Sequence, residues 1–269
     1  MPFIQTGGRQ LFYEISGQGK QPLLLFNGLT MSTAAWTLLL PQLEQRYQVI
    51  RLDFQGQGQS EATPQPGYPL PQQADDAAAV LDALGINTVY LVALSYGGMV
   101  AQHFVRRHPQ RVQRLLLAAT LAWSDAVNTE IAASWSQAEK TGGADLRFDI
   151  SLPWLFSSRF LQAGRAMLPD LRRIAATVAW PNVERIIAGV MAHDARSWLD
   201  ELQLPVHIIV GDEDRLTPLY QARLLQSGIA GATLSILPGV GHAIHLEAPH
   251  VFCQHIFQFA ETQPAPKEA

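Results

Sequence analysis

The chain contains a single cysteine, Cys253, in 269 residues. That excludes an intramolecular disulfide and any structural zinc site built on clustered thiolates, and it fits a reducing compartment. Clustered basic residues are also missing. With a net charge of −4, the chain offers no electrostatic footprint for nucleic acid. Long apolar runs are absent: Leu115–Ala119 and Val206–Val210 are typical, against the about 20 residues needed to span a bilayer. The first nine residues lack a charged stretch followed by an apolar one, so no secretory signal is expected and the expected location is cytoplasmic. No internal repeat is visible. What the chain does have is apolar content, 48% of residues, enough for one large domain with a full core.

Residues 3–15 place Gly7-Gly8 between two short apolar runs, the pattern of an antiparallel hairpin. From Leu23 onward, strands alternate with helices. Leu23–Phe26, Val49–Leu52, Val89–Leu94 and Leu115–Ala119 are mostly apolar on both faces, as suits a mostly parallel sheet covered by helices. Helices are predicted over Thr33–Gln45, Gln72–Leu84, Tyr96–His108, Pro218–Ser227 and Pro249–Ala260. Pro218 and Pro249 suit a first helical turn, and Gly85 suits a C-terminal cap. The alternation lapses between Thr120 and Leu202, where five of the six tryptophans lie. This stretch reads as helices broken at Gly142-Gly143 and at Pro153. The tail, residues 262–269, carries two prolines and few apolar side chains and is expected to be disordered.

Three strand ends carry the polar groups that chemistry needs. Ala93-Leu94-Ser95-Tyr96-Gly97-Gly98 joins an apolar run to an amphipathic one. A serine at such a junction, with small residues two before and two after it, has the layout of a nucleophile elbow. Val206–Val210 runs into Gly211-Asp212-Glu213-Asp214-Arg215-Leu216-Thr217-Pro218, and Leu234–Leu237 runs into Pro238-Gly239-Val240-Gly241-His242. A serine hydroxyl needs a neutral imidazole to take its proton as it attacks. A carboxylate on the other ring nitrogen fixes the tautomer and stabilises the imidazolium that forms. Ser95, His242 and Asp214 are the candidates for these roles. Asp212, Glu213, Asp125 and His245 compete locally.

With that serine, acid and histidine in that order, the sequence resembles the α/β-hydrolase superfamily over nearly all of Leu23–Phe259. The resemblance implies an α/β-hydrolase fold: a mostly parallel eight-stranded sheet flanked by helices, with an inserted helical cap. The core would be residues 1–121 and 203–261, and the cap 122–202. The family's acid lies three residues after the glycine and four before the proline, which selects Asp214; members with the acid after the sixth strand keep Asp125 in reserve. The Gly-Val-Gly turn and the Leu246-Glu247-Ala248-Pro249 sequel resemble the family's histidine loop and favour His242 over His245. The family's oxyanion hole implies the backbone N–H groups of Tyr96 and Leu29, and losing one such donor costs about 10²–10³ in rate.

Asn27-Gly28 stands where His-Gly is usual. Asn27 either pins the loop or contacts substrate, and the pair resembles that of medium-chain polyhydroxyalkanoate depolymerases, an acyltransferase of rhamnolipid synthesis and 3-oxoadipate enol-lactonases. Trp123, just after the sixth strand, is the candidate for a pocket wall. Asp53-Phe54-Gln55-Gly56-Gln57-Gly58-Gln59-Ser60 resembles the family's D-x-x-G-x-G-x-S turn and is read as structural; a nucleotide loop would need a third glycine and an immediate helix. The implied activity is hydrolysis of a carboxylic ester, lactone or thioester of a small-to-medium apolar acyl group, on a small-molecule substrate, with no cofactor and no metal. Acyl transfer, carbon–carbon bond hydrolysis and ligand reception on the same fold are the alternatives. An aspartate nucleophile, as dehalogenases and epoxide hydrolases use, is absent at position 95.

Overall fold

The computed structural model describes residues 2–261. The expected tail, residues 262–269, lies outside them. Eight strands form one sheet: β1 (Phe3–Thr6), β2 (Arg9–Ser16), β3 (Gln21–Phe26), β4 (Tyr47–Leu52), β5 (Val89–Leu94), β6 (Val112–Ala118), β7 (Val206–Gly211) and β8 (Thr233–Leu237). Their spatial order is β1-β2-β4-β3-β5-β6-β7-β8. The hairpin β1–β2 and the β2–β4 pair are antiparallel; every pairing from β4 to β8 is parallel. Parallel strands buried on both faces need apolar residues at odd and even positions alike. Leu24, Phe26, Leu91 and Ala93 face one layer, and Leu23, Leu25, Val92 and Leu94 face the other.

Ten α-helices complete the described residues: α1 (Leu40–Leu43), α2 (Leu70–Ala83), α3 (Tyr96–Arg107), α4 (Ala126–Leu155), α5 (Ser158–Ala163), α6 (Leu168–Ala176), α7 (Trp180–Met191), α8 (Leu219–Gly228), α9 (Ile244–Glu247) and α10 (Pro249–Glu261). Helices α2, α3 and α8 cover one face of the sheet through Leu81, Phe104 and Leu225. Helix α10 covers the other with Phe252, Cys253 and Ile256, beside Trp36 and Leu43.

The helix expected over Thr33–Gln45 is instead a 3₁₀ turn, Thr33–Trp36, followed by the short α1. Pro41 near the start of α1 explains the break, because proline lacks an N–H and its ring clashes with the carbonyl four residues back. Between β6 and β7 every helix belongs to one insertion, α4 to α7. Its entry and exit lie side by side: Trp123 and Asp194 form an isolated antiparallel bridge, and Ser124 N–H donates to His193 O. Helix α4 kinks at Gly143 (φ 64°, ψ −163°), a left-handed backbone that glycine adopts without a Cβ penalty. Pro153 does not break it; the helix stops two residues later, at Leu155.

Candidate active site

The turn after β5 forces Ser95 into a strained conformation, φ 54° and ψ −118°, at the start of α3. Its N–H donates to Ala118 O on β6, and its carbonyl accepts from Gly98 N–H and Thr120 Oγ1. The turn works only because position 97 carries no side chain: a Cβ there would lie 2.6 Å from Phe26 O and 2.7 Å from Asn27 O. The alanine at position 93 is tolerated, fully buried within β5.

Asp214 and His242 arrive from the loops after β7 and β8. His242 Nε2 is 2.9 Å from Ser95 Oγ, and His242 Nδ1 is 3.0 Å from Asp214 Oδ2. Both distances are hydrogen bonds. All three residues are buried. Asp214 accepts three further bonds that hold it: Leu216 N–H and Thr217 N–H donate to Oδ1, and Thr217 Oγ1 donates to Oδ2 at 2.7 Å while lying 3.2 Å from His242 Nδ1. A carboxylate so held keeps Nδ1 protonated and leaves Nε2 as the acceptor facing Ser95.

The histidine loop is braced by Glu247, which accepts from Gly241 N–H and from Ser157 N–H and Oγ. The acid loop is braced by Arg215, whose Nη1 donates to Pro153 O and Phe156 O. Both braces reach into the helical insertion. Above Ser95, core and insertion enclose a cavity of about 630 Å³. Its wall is mainly apolar, with Met99, Leu121, Trp135, Phe148, Val178 and Trp180 among its residues. Leu29 and Tyr96 also line it, and among the described residues neither backbone N–H has an acceptor. Two free donors beside the serine are what a developing oxyanion needs.

The family profile of the alpha/beta hydrolase fold matches residues 21–171. The chain belongs to the α/β-hydrolase family. A poly(3-hydroxyalkanoate) depolymerase of Ectopseudomonas oleovorans is 27% identical over 90% of this chain and 85% of its own. The 2-hydroxymuconate semialdehyde hydrolase of Pseudomonas sp. (strain CF600) is 28% identical, covering 88% of this chain and 86% of that protein. The crystal structure of the enol-lactonase from Burkholderia xenovorans LB400 superposes with a TM-score of 0.89 at 25% identity, covering 97% of this chain and 100% of the other.

Within this α/β hydrolase, two expected substrate contacts do not reach the cavity. Asn27 is fully buried. Its Nδ2 donates to Leu52 O and lies 3.3 Å from Asp53 Oδ1, while its Oδ1 accepts from Trp36 Nε1 at 2.7 Å. Every polar atom of the side chain is used to pin the loop that carries Leu29, so its reading is structural. Trp123 is likewise not in the cavity wall. The Arg196 guanidinium lies 3.9 Å from its ring centroid, and the bridge to Asp194 fixes its backbone. Asp125 caps α4, accepting from Asn128 N–H and the Tyr220 hydroxyl, and does not pair with His242. His245 does line the cavity, but burial and the neighbouring His242 push it down to about 3, so its ring is neutral.

The D-x-x-G-x-G-x-S turn does more than turn. Asp53 accepts from Thr33 N–H and Gln59 N–H, and Ser60 Oγ donates to Asp53 O, as local backbone bonding requires. Burial nonetheless raises the Asp53 carboxyl above its ordinary value, against the pull of those N–H donors. Gln57 Nε2 donates to Gly28 O and Leu29 O, fixing the loop that presents the Leu29 N–H. Sequence reasoning passed over Gln57, Thr217 and Glu247. All three lie inside strings already singled out, and for Thr217 and Glu247 the signal was their place within a few residues of Asp214 and His242.

Proposed function

We propose that the protein is a serine hydrolase acting on a carboxylic ester, lactone or thioester through a covalent acyl-enzyme. The observation that carries this is the hydrogen-bonded chain Ser95 Oγ–His242 Nε2 and His242 Nδ1–Asp214 Oδ2, opening on a mainly apolar cavity with two free N–H donors. Ser95 Oγ attacks the acyl carbonyl as His242 Nε2 takes its proton. The Leu29 and Tyr96 N–H groups receive the oxyanion. His242 then protonates the leaving group, and in the second half it deprotonates the water that releases the acid. Asp214 stays ionised and stabilises the imidazolium in both halves. The names of the depolymerase and the enol-lactonase support acyl-oxygen chemistry for this chain. The insertion α4–α7 serves as a cap, residues 122–202, that excludes water and shapes the acyl pocket.

The test is turnover of p-nitrophenyl esters and matched acyl-CoA thioesters over a series of chain lengths, with Ser95→Ala as control. The expected result is turnover that falls by about 10⁴–10⁶ in kcat in Ser95→Ala. Wild-type-like activity in that variant, or none in the folded wild type on either series, would contradict the reading.

A further inference from the structure

Among the described residues that line the cavity, Arg147 is the one Asp, Glu, Lys or Arg. It lies on α4 beyond the kink at Gly143, with a side chain only 6% exposed. A guanidinium taken out of water is costly unless its donors are met. Part of the fork is met: Nε donates to Glu139 Oε2 at 2.7 Å and Nη2 to Ala175 O at 2.9 Å. Its flat face lies over Trp180, 4.5 Å from the ring centroid. Nη1 has no acceptor among the described residues and retains accessible surface. The indole N–H groups of Trp135 and Trp180, residues of the same wall, are buried without an acceptor and present no surface to the cavity. Both tryptophans belong to one apolar cluster. This part of the cavity therefore carries one guanidinium, ion-paired with Glu139, and no carboxylate among its lining residues.

We propose that the acyl group of the substrate ends in a carboxylate, received by Arg147 Nη1 while Ser95 attacks the scissile carbonyl. The proposal rests on the serine-hydrolase reading above. A carboxylate fits because it is a singly charged acceptor that Nη1, the one guanidinium nitrogen without an acceptor, can meet with a charge-assisted hydrogen bond. A phosphate would call for a second cation, and no other Lys or Arg among the described residues lines the cavity. The apolar residues of the wall receive the methylene body. The substrate class is thus the half-ester, lactone or thioester of a dicarboxylic acid.

Calorimetry on Ser95→Ala, which binds without turning over, tests this with paired monomethyl and dimethyl esters of straight-chain dicarboxylic acids from succinate to sebacate. Each pair differs by one carboxylate. At the best chain length the monoanion is expected to bind about tenfold tighter or more, the worth of a charge-assisted hydrogen bond. Adding Arg147→Met should abolish that ratio, and Arg147→Lys should keep part of it. Equal, weaker or absent binding of the monoanion across the series overturns the proposal, whatever the Arg147 variants do. So does a ratio that survives Arg147→Met, which would leave Arg147 as a brace between α4 and α6. Wild-type turnover separates the two claims. Ser95-dependent hydrolysis of neutral esters with no carboxylate preference defeats this inference alone. Tight monoanion binding with no turnover defeats the hydrolase reading alone.

Discussion

Two carboxylates competed for one histidine, and their partners tell them apart. Asp214 meets His242 Nδ1, whereas Asp125 caps a helix and accepts from the Tyr220 hydroxyl. Asp214→Asn should therefore lower kcat by about 10⁴, as an amide would hold the wrong tautomer. Asp125→Asn should leave kcat within about threefold and cost at most about 1 kcal/mol of stability, because asparagine also caps helices. Ester kinetics on the two purified variants, with thermal melts, check both; the reverse ranking would reassign the acid. The positions of Ser95, Asp214 and His242 were legible because each follows a strand within a short local string. Asn27 and Trp123 were not legible as to direction. Asn27 turns toward Trp36 and Leu52, and Trp123 is clasped by Arg196, partners that only the folded chain brings near.

At the scale of elements, β5, its turn and α3 form one device. The tight approach of the turn to the end of β3 is what leaves Ser95 at φ 54°. Gly97→Ala would press a methyl group against Phe26 O and Asn27 O. Overpacking of this kind costs about 1–3 kcal/mol, and relief by shifting the turn would misplace Ser95 Oγ from His242. The expected outcome is a lower urea midpoint together with at least a tenfold loss of kcat; wild-type values of both would show that the turn tolerates the methyl. The strands and most helices were readable from apolar periodicity, since burial on one or two faces writes itself into the sequence. The Thr33–Gln45 region was misread as one helix because its apolar spacing is helical while Pro41 divides it. The path of α4 depends on backbone torsions at Gly143, which composition marks as a break without giving its direction.

The whole molecule is built to be sensitive to acid. Five histidines are held below their ordinary value chiefly by burial: His103 and His207 down to about 4, His193 and His245 down to about 3, and His255 in the same direction. His103 on α3 and His193 at the exit of the insertion lie 3.3 Å apart, ring nitrogen to ring nitrogen, so the pair sits at the junction of core and insertion. The unfolded chain binds protons on these rings from about pH 6.5 downward, whereas in the folded chain His103 and His207 do not until about pH 4, and His193 and His245 not until about pH 3. Stability is therefore present above about pH 6.5 and is lost as pH falls toward 4. Asp53 and Asp76, raised by burial, act in the opposite sense at the acid end. Urea midpoints from pH 8 to pH 4.5 should fall in the wild type and fall less steeply in His193→Phe. Parallel profiles would mean that the pair does not set the acid limit. Among the described residues no helix is long and apolar enough to cross a membrane, in keeping with the short apolar runs of the sequence.

The central claim is that Ser95 is the nucleophile, activated by His242. Treating the protein with a fluorophosphonate probe and mapping the adduct by mass spectrometry tests it most directly, because a covalent label needs both an activated serine and free oxyanion donors. The account predicts one adduct on the peptide bearing Ser95, lost in Ser95→Ala and much slower to form in His242→Ala. A folded wild-type protein that resists the probe, or an adduct on another residue that persists in Ser95→Ala, would contradict it.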